Sequence, residues 1–152
     1  MDNKKIIEQV KKLREELGLS IMDIKAAVVE ANGDETKAKE ILRKKGLQKA
    51  EKKAERETHE GRVFVYRHAT EKMGAMVELL CETDFVAKGD DFQTLGKNLV
   101  LHIAAMDPKD KKELLKQEFV KDPSVTIDVM IKGVVAKLGE NIQVGKFVRY
   151  QI

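Results

Sequence analysis

Few residues in this sequence combine the type and the spacing that chemistry demands. The three histidines, His59, His68 and His102, are too irregularly placed for a zinc site, and Cys81 is the only cysteine that could join them. No metal centre is therefore expected. One cysteine also excludes an intrachain disulfide; lying in an apolar stretch, Cys81 reads as buried rather than reactive, which fits a reducing compartment. A G-x-S-x-G elbow, a Walker loop and a strand-to-helix G-x-G-x-x-G are all missing. The carboxylate pair Asp90-Asp91 suits the first turn of a helix, where acidic side chains complement the helix dipole, better than acid/base catalysis. These observations predict a binding protein without a cofactor rather than an enzyme.

Two stretches remain as candidates for contact with a partner. Residues 37 to 56 hold nine Lys or Arg against three Glu, although the net charge of the 152-residue chain is only +3. Such a run could meet phosphates, but it has no interleaved aromatics and reads first as a solvated helix face. The second stretch is Thr83-Asp84-Phe85-Val86, after the apolar run Leu79-Leu80-Cys81. On composition alone the favoured reading has Thr83 or Asp84 capping a short helix and Phe85 turning into the core. The competing reading has Phe85 pushed outward at a strand-to-helix corner, beside a carboxylate that prefers water.

The elements that would position these residues follow from periodicity and punctuation. Asp2 can cap a first helix whose apolar stripe, Ile6, Val10, Leu13 and Leu17, stops at Gly18. Ser20 is a suitable N-cap for a second, with Asp23 in capping-box style and Ile24, Ala27, Val28 and Ala31 inward; Asn32-Gly33 ends it. Asp34 caps a third, with Ala38, Ile41 and Leu42 inward, ending at Gly46. Residues 1–46 are thus expected to form a three-helix module. Residues 47–60 are expected to be a charged linker helix with only Ala50 and Ala54 as small apolar positions.

At Gly61 the character changes. Arg62 to Ala69 and Met73 to Cys81 are rich in β-branched and apolar residues and predict a β-hairpin. Helical periodicity returns after Gly89 with Phe92, Leu95, Leu99, Ile103 and Met106, and Asp107-Pro108 ends it. A charged segment spans Lys109 to Pro123. Ile127, Ile131, Val134 and Leu138 then line a helix closed by Gly139, and Ile142 to Ile152 reads as a third strand with a bend or bulge at Gly145. The expected fold class is α+β, with residues 61–152 forming a three-stranded antiparallel sheet packed with helices on one face. The chain has no run long enough to span a membrane, and Met1 to Lys5 lacks the apolar core of a secretory signal, so a cytoplasmic protein is expected.

The run Val77-Glu78-Leu79-Leu80-Cys81-Glu82-Thr83-Asp84-Phe85-Val86 resembles the second signature of the elongation factor Ts family. Leu13-Arg14-Glu15-Glu16-Leu17-Gly18 through Met22-Asp23-Ile24-Lys25-Ala26-Ala27 resembles its first, and Gly139-Glu140-Asn141-Ile142 matches a stretch near the end of the family's core. The resemblance implies guanine-nucleotide exchange on the translational GTPase elongation factor Tu. It implies that the N-terminal module, similar to ubiquitin-associated domains, docks on the G domain of that GTPase through Arg14, Ile21, Met22 and Lys25. It also implies that the Thr83–Val86 turn wedges in near the nucleotide's magnesium, with Phe85 as the apolar wedge and Asp84 disturbing the metal's coordination.

Lys53 and His102 are further candidate contacts, His102 being equally readable as a half-buried structural histidine at the edge of the apolar stripe. The sequence departs from the family at Leu17-Gly18-Leu19-Ser20, where Thr-Gly-Ala-Gly is usual, and at Leu80, where a polar residue is common. Many members carry two related core halves, and here one is present. An incomplete sheet of this kind predicts a symmetric homodimer. The alternative reading is a ubiquitin-associated-like module with a basic linker that binds nucleic acid or the ribosome; on the favoured reading no direct nucleic-acid contact and no membrane contact are expected.

Overall fold

A computed structural model of the chain describes residues 3–152; the expected cap at Asp2 lies outside them. Helix α1 (Asn3–Leu17) buries Leu13 and is closed by Gly18, whose amide donates to Arg14 O. Helix α2 (Ile21–Glu30) buries Ile24, Ala27 and Val28, as its spacing predicts. Ser20 precedes it, but its side chain makes no capping bond, and the carboxylate of Asp23 is held instead by Lys49 Nζ at 2.6 Å. The capping-box expectation fails because the next helix supplies a stronger, charged donor. Asp34 does cap α3 (Glu35–Lys53), accepting from Lys37 N at 3.0 Å.

Helix α3 does not stop at Gly46; it runs on to Lys53. Glycine disfavours a helix interior by only about 1 kcal/mol, and burial on either side outweighs that. Leu42 packs in the core of the first three helices and Ala50 in the core of the rest of the chain, so one helix enters two cores. Between them Gly46 lies against α7 (Ile127–Leu138), close enough that a Cβ there would sit 3.2 Å from Ala136 Cβ. The segment expected to be a separate charged linker helix is therefore the last turns of α3 followed by a non-helical stretch from residue 54 to residue 59, and Ala50, 4% exposed, is a core residue.

The fold is α+β. Strands β1 (Glu60–Arg67), β2 (Met73–Cys81) and β5 (Gln143–Gln151) form an antiparallel sheet in the order β1-β2-β5. The register slips between Val77 and Leu79, where β5 carries one extra residue opposite Glu78, next to Gly145. One sheet face, with Phe64, Ala75, Val77, Leu79, Cys81 and Val144, packs into the core with α5 (Asp90–Met106). Phe92, Leu95, Leu99 and Ile103 of α5 are buried as expected, whereas Met106 is exposed at the helix end, which Asp107 closes in a left-handed conformation.

Three elements went unanticipated after Asp107. Helix α6 (Lys111–Lys116) is capped by Asp110, and β3 (Glu118–Phe119) pairs with β4 (Asp122–Thr126) as a second, two-stranded sheet. One apolar anchor from each of α6 and β3, Leu114 and Phe119, is buried, too few to draw a periodicity in the sequence. Helix α7 buries Ile127, Ile131 and Val135, with Val134 and Leu138 at the margin, and ends at Gly139 in the left-handed conformation that glycine adopts without strain.

Candidate functional site

The end of β2 delivers the chain to a corner rather than into the core. Thr83 is extended, and its hydroxyl accepts from Val86 N at 3.3 Å, capping the short helix α4 (Asp84–Lys88). Half of the inward reading therefore holds: the cap and the helix exist. Its other half fails. Val86 and Ala87 fill the core beneath the corner, and Phe85 stands 88% exposed, the most exposed large apolar side chain among the described residues apart from Ile152. One apolar side of the α4 turn is enough to anchor it, and Val86 supplies that side. Val86, expected among the contact residues, is an anchor instead.

Asp84 is bound from two sides. Arg62 Nη2 of β1 donates to Oδ1 at 2.7 Å, and Lys88 Nζ, one helical turn on, reaches Oδ2 at 2.5 Å. The Arg62 bond, with that of Lys88 behind it, holds the Asp84 carboxyl below its ordinary range, and the same bond raises Arg62. Arg62 was not legible as a site residue: it lies 22 positions upstream, on a strand opposite Leu79.

The corner is braced from behind by the α7–β5 junction. One carboxylate, Glu140, accepts from Glu82 N at 3.1 Å, Thr83 N at 3.0 Å and Thr83 Oγ1 at 2.6 Å. Glu82 answers by accepting from Asn141 N at 2.8 Å, and Arg56 reaches Glu82 at 3.5 Å. Asn141, 3% exposed, donates through its side-chain amide to Arg56 O at 2.7 Å and Ala54 O at 3.3 Å, just past the end of α3. Cys81 is buried, its thiol donates to Thr83 O at 3.2 Å, and burial pushes its pKa up.

The other expected contact residues lie apart from the corner. Arg14 is exposed on α1; Met22 (77% exposed), Ile21 and Lys25 are exposed at the start of α2. Val29, also exposed, lies at helical spacing from Met22 and Lys25 on the same helix. Lys53 is half-buried and lines a cleft with Ser20, Asp23 and Gly139. His102 has no surface to offer: it is fully buried, its Nε2 shares a hydrogen bond with Gln117 Oε1 at 2.9 Å, and its Nδ1 accepts from Val120 N at 3.2 Å. It ties the segment between α6 and β4 to α5. Burial lowers its pKa despite the opposing Gln117 bond.

The basic run is largely occupied within the chain. Lys39 pairs with Glu16 and Glu35, Lys45 with Glu30, and Lys49 with Asp23. Among the described residues no cluster could hold a metal ion, and no helix is long and apolar enough to cross a membrane.

The corner thus presents an exposed aromatic on a doubly braced turn, over a small α+β core. A family model described as elongation factor Ts matches residues 82–152, from the braced corner to the end of the chain. Elongation factor Ts of Fervidobacterium nodosum is 44% identical over 95% of this chain and 96% of its own length; that alignment has 190 positions, so the relative carries residues with no counterpart here. The Aquifex aeolicus protein of the same name is 48% identical, and this chain spans 51% of it. A chloroplastic elongation factor Ts of Cyanidioschyzon merolae is 37% identical over 94% of the chain. The chain belongs to the elongation factor Ts family of translation elongation factors.

Proposed function

We propose that the chain is a guanine-nucleotide exchange factor for elongation factor Tu, acting through the Thr83-Asp84-Phe85 turn. The observation that carries this reading is the contrast at one turn: Phe85 is 88% exposed, although Val86 beside it is buried. An apolar ring held in water has something to gain from a partner's pocket, ~2 kcal/mol on burial. Asp84 travels with it, kept ionised by Arg62 and Lys88, and brings a negative charge towards the nucleotide's magnesium site. Weakening the ion's contacts loosens its hold on the phosphates, and GDP leaves faster. No bond is made or broken by this chain. Coupling between two ligands is reciprocal, so a factor that weakens GDP is itself expelled by incoming nucleotide, which completes the cycle.

Residues 1–46, with Arg14, Ile21, Met22 and Lys25 outermost, serve in this reading as the docking module on the G domain, and residues 61–152 as the exchange core. Helix α3 joins them as a rigid strut. Lys53 is half-buried in the cleft between the two, and its contact with the partner is secondary.

The sheet supports the further reading that the factor is a homodimer. Its outer face carries Val63, Val65, Met76 and Tyr150, all exposed, beside the half-buried Val148. These residues lie on adjacent strands in register, Val65 opposite Met76 and Met76 opposite Val148. A second copy of the same face is the occupant such a patch fits. The nucleic-acid alternative is the less favoured reading, since Lys39, Lys45 and Lys49 of the basic run pair with carboxylates of the chain itself. The test of exchange is release of labelled GDP from elongation factor Tu, which the chain must accelerate.

A further inference from the structure

We propose that Glu140 is the positioning residue of the exchange turn, its carboxylate setting the direction in which Asp84 and Phe85 are presented. The inference rests on the exchange reading and adds to it a residue outside the turn. Helix α4 has five residues, too few to hold an orientation of its own, since a helix this short leaves most of its backbone groups without internal partners. Its direction must come from its two ends. Val86 and Ala87 hold it down on the core, but apolar contact is non-directional and does not fix rotation about the corner.

Direction is supplied by hydrogen bonds, and at the entry to α4 they converge on one side chain. The Glu140 carboxylate receives the last two backbone amides before the helix, Glu82 N and Thr83 N, and the Thr83 hydroxyl. The same Thr83 oxygen accepts from Val86 N, so the Glu140 bond selects the rotamer in which Thr83 caps the helix. Bonds to an ionised acceptor are about twice as strong as neutral ones, and three on one group fix its position as well as its partners'.

Glu140 is itself held. It follows Gly139, whose φ of 76° ends α7, and it precedes the buried Asn141. Asn141 N returns a bond to Glu82, and its side chain grips the backbone at Ala54 and Arg56. The corner carrying Phe85 is thereby keyed to the end of α3, the same helix that carries the docking module. Glu140 stands outside the apolar core, so its role is geometric: a wedge displaced by an ångström loses a large part of its effect, and the fold need not change.

The experiment measures GDP release from elongation factor Tu against increasing factor concentration for wild type, Glu140→Ala and Glu140→Gln. Each variant is used below the midpoint of its own thermal melt. The expected result for Glu140→Ala is a maximal rate lowered about tenfold, with the half-saturating concentration within about twofold of wild type, because docking through α1 and α2 is untouched. Glutamine keeps an acceptor for the two amides and should restore the rate to within about threefold. Should the alanine variant not fold, Glu140→Asp, which withdraws the carboxylate by one methylene, takes its place with the same expectation. A wild-type maximal rate in the alanine or aspartate variant, a loss confined to the half-saturating concentration, or glutamine no better than alanine overturns the inference. A wild-type chain that does not accelerate release overturns the exchange reading instead.

Discussion

Arg62 Nη2 donates to Asp84 Oδ1 at 2.7 Å, joining the first strand of the sheet to the first residue of α4. The bond fixes the Asp84 side chain and keeps its carboxylate ionised below the ordinary aspartate range. The sign follows from linkage: a lowered carboxyl pKa marks an interaction present at neutral pH and lost as pH falls through that lowered value. Arg62→Gln should therefore move the Asp84 titration upward, towards the ordinary value near about 3.9. Carbon-detected NMR titration of the Asp84 carboxyl checks this; an unchanged midpoint in the variant would show that Lys88 alone holds the group.

Phe85 and Val86 should separate presentation from anchoring. Removing the Phe85 ring takes away little folded-state packing, so Phe85→Ala should alter unfolding stability by less than about 0.5 kcal/mol. Val86→Ala opens a small void under the corner and should cost about 1–2 kcal/mol. Urea denaturation of the two variants distinguishes them, and equal losses would contradict the assignment.

His102 predicts an acid limit to stability. Its folded pKa is lowered by burial, so its contribution is present above the ordinary histidine value, near about 6.5, and is lost as pH falls below it towards the folded value. Protonation would also place a proton on Nδ1, which accepts from Val120 N. The melting temperature should fall over this range in wild type, and His102→Leu should melt lower at neutral pH, with Val120 N and Gln117 Oε1 deprived of their His102 partner, but flatten the pH dependence. A dependence of equal size in the variant would assign it elsewhere.

The dimer reading makes its own prediction. Light scattering at micromolar concentration should give twice the mass of one chain. Glutamate at both Val65 and Met76, which are paired across β1 and β2, should return the mass to that of a monomer by burying like charges face to face. A monomeric wild type at high micromolar concentration would remove the proposal.

Much of the architecture was legible because it rests on local rules. The stripe of Leu13, the caps at Asp34 and Thr83, and the glycine after Leu138 need only their neighbours to act. The failures share one cause, contacts made across the chain. Gly46 reads as a helix end until α7 is seen lying against it, and Asp23 reads as a capping residue until Lys49 takes it. Leu114 and Phe119 seem isolated until His102 and the α5 core meet them. In the site, the turn itself was visible in the sequence; composition alone favoured an inward Phe85, and the outward ring was reached only through the strand-to-helix corner beside a carboxylate and through the family resemblance. Arg62 and Glu140, 22 and 56 positions from Asp84, carry no local signal of their part in it.

The exchange account stands most directly on the Phe85 ring. Release of labelled GDP from elongation factor Tu, measured at saturating factor with wild type and Phe85→Ala, isolates its contribution. The account predicts clear acceleration by wild type and a maximal rate roughly thirtyfold lower in the variant, the rate equivalent of ~2 kcal/mol of wedge burial. A Phe85→Ala chain as active as wild type would contradict it.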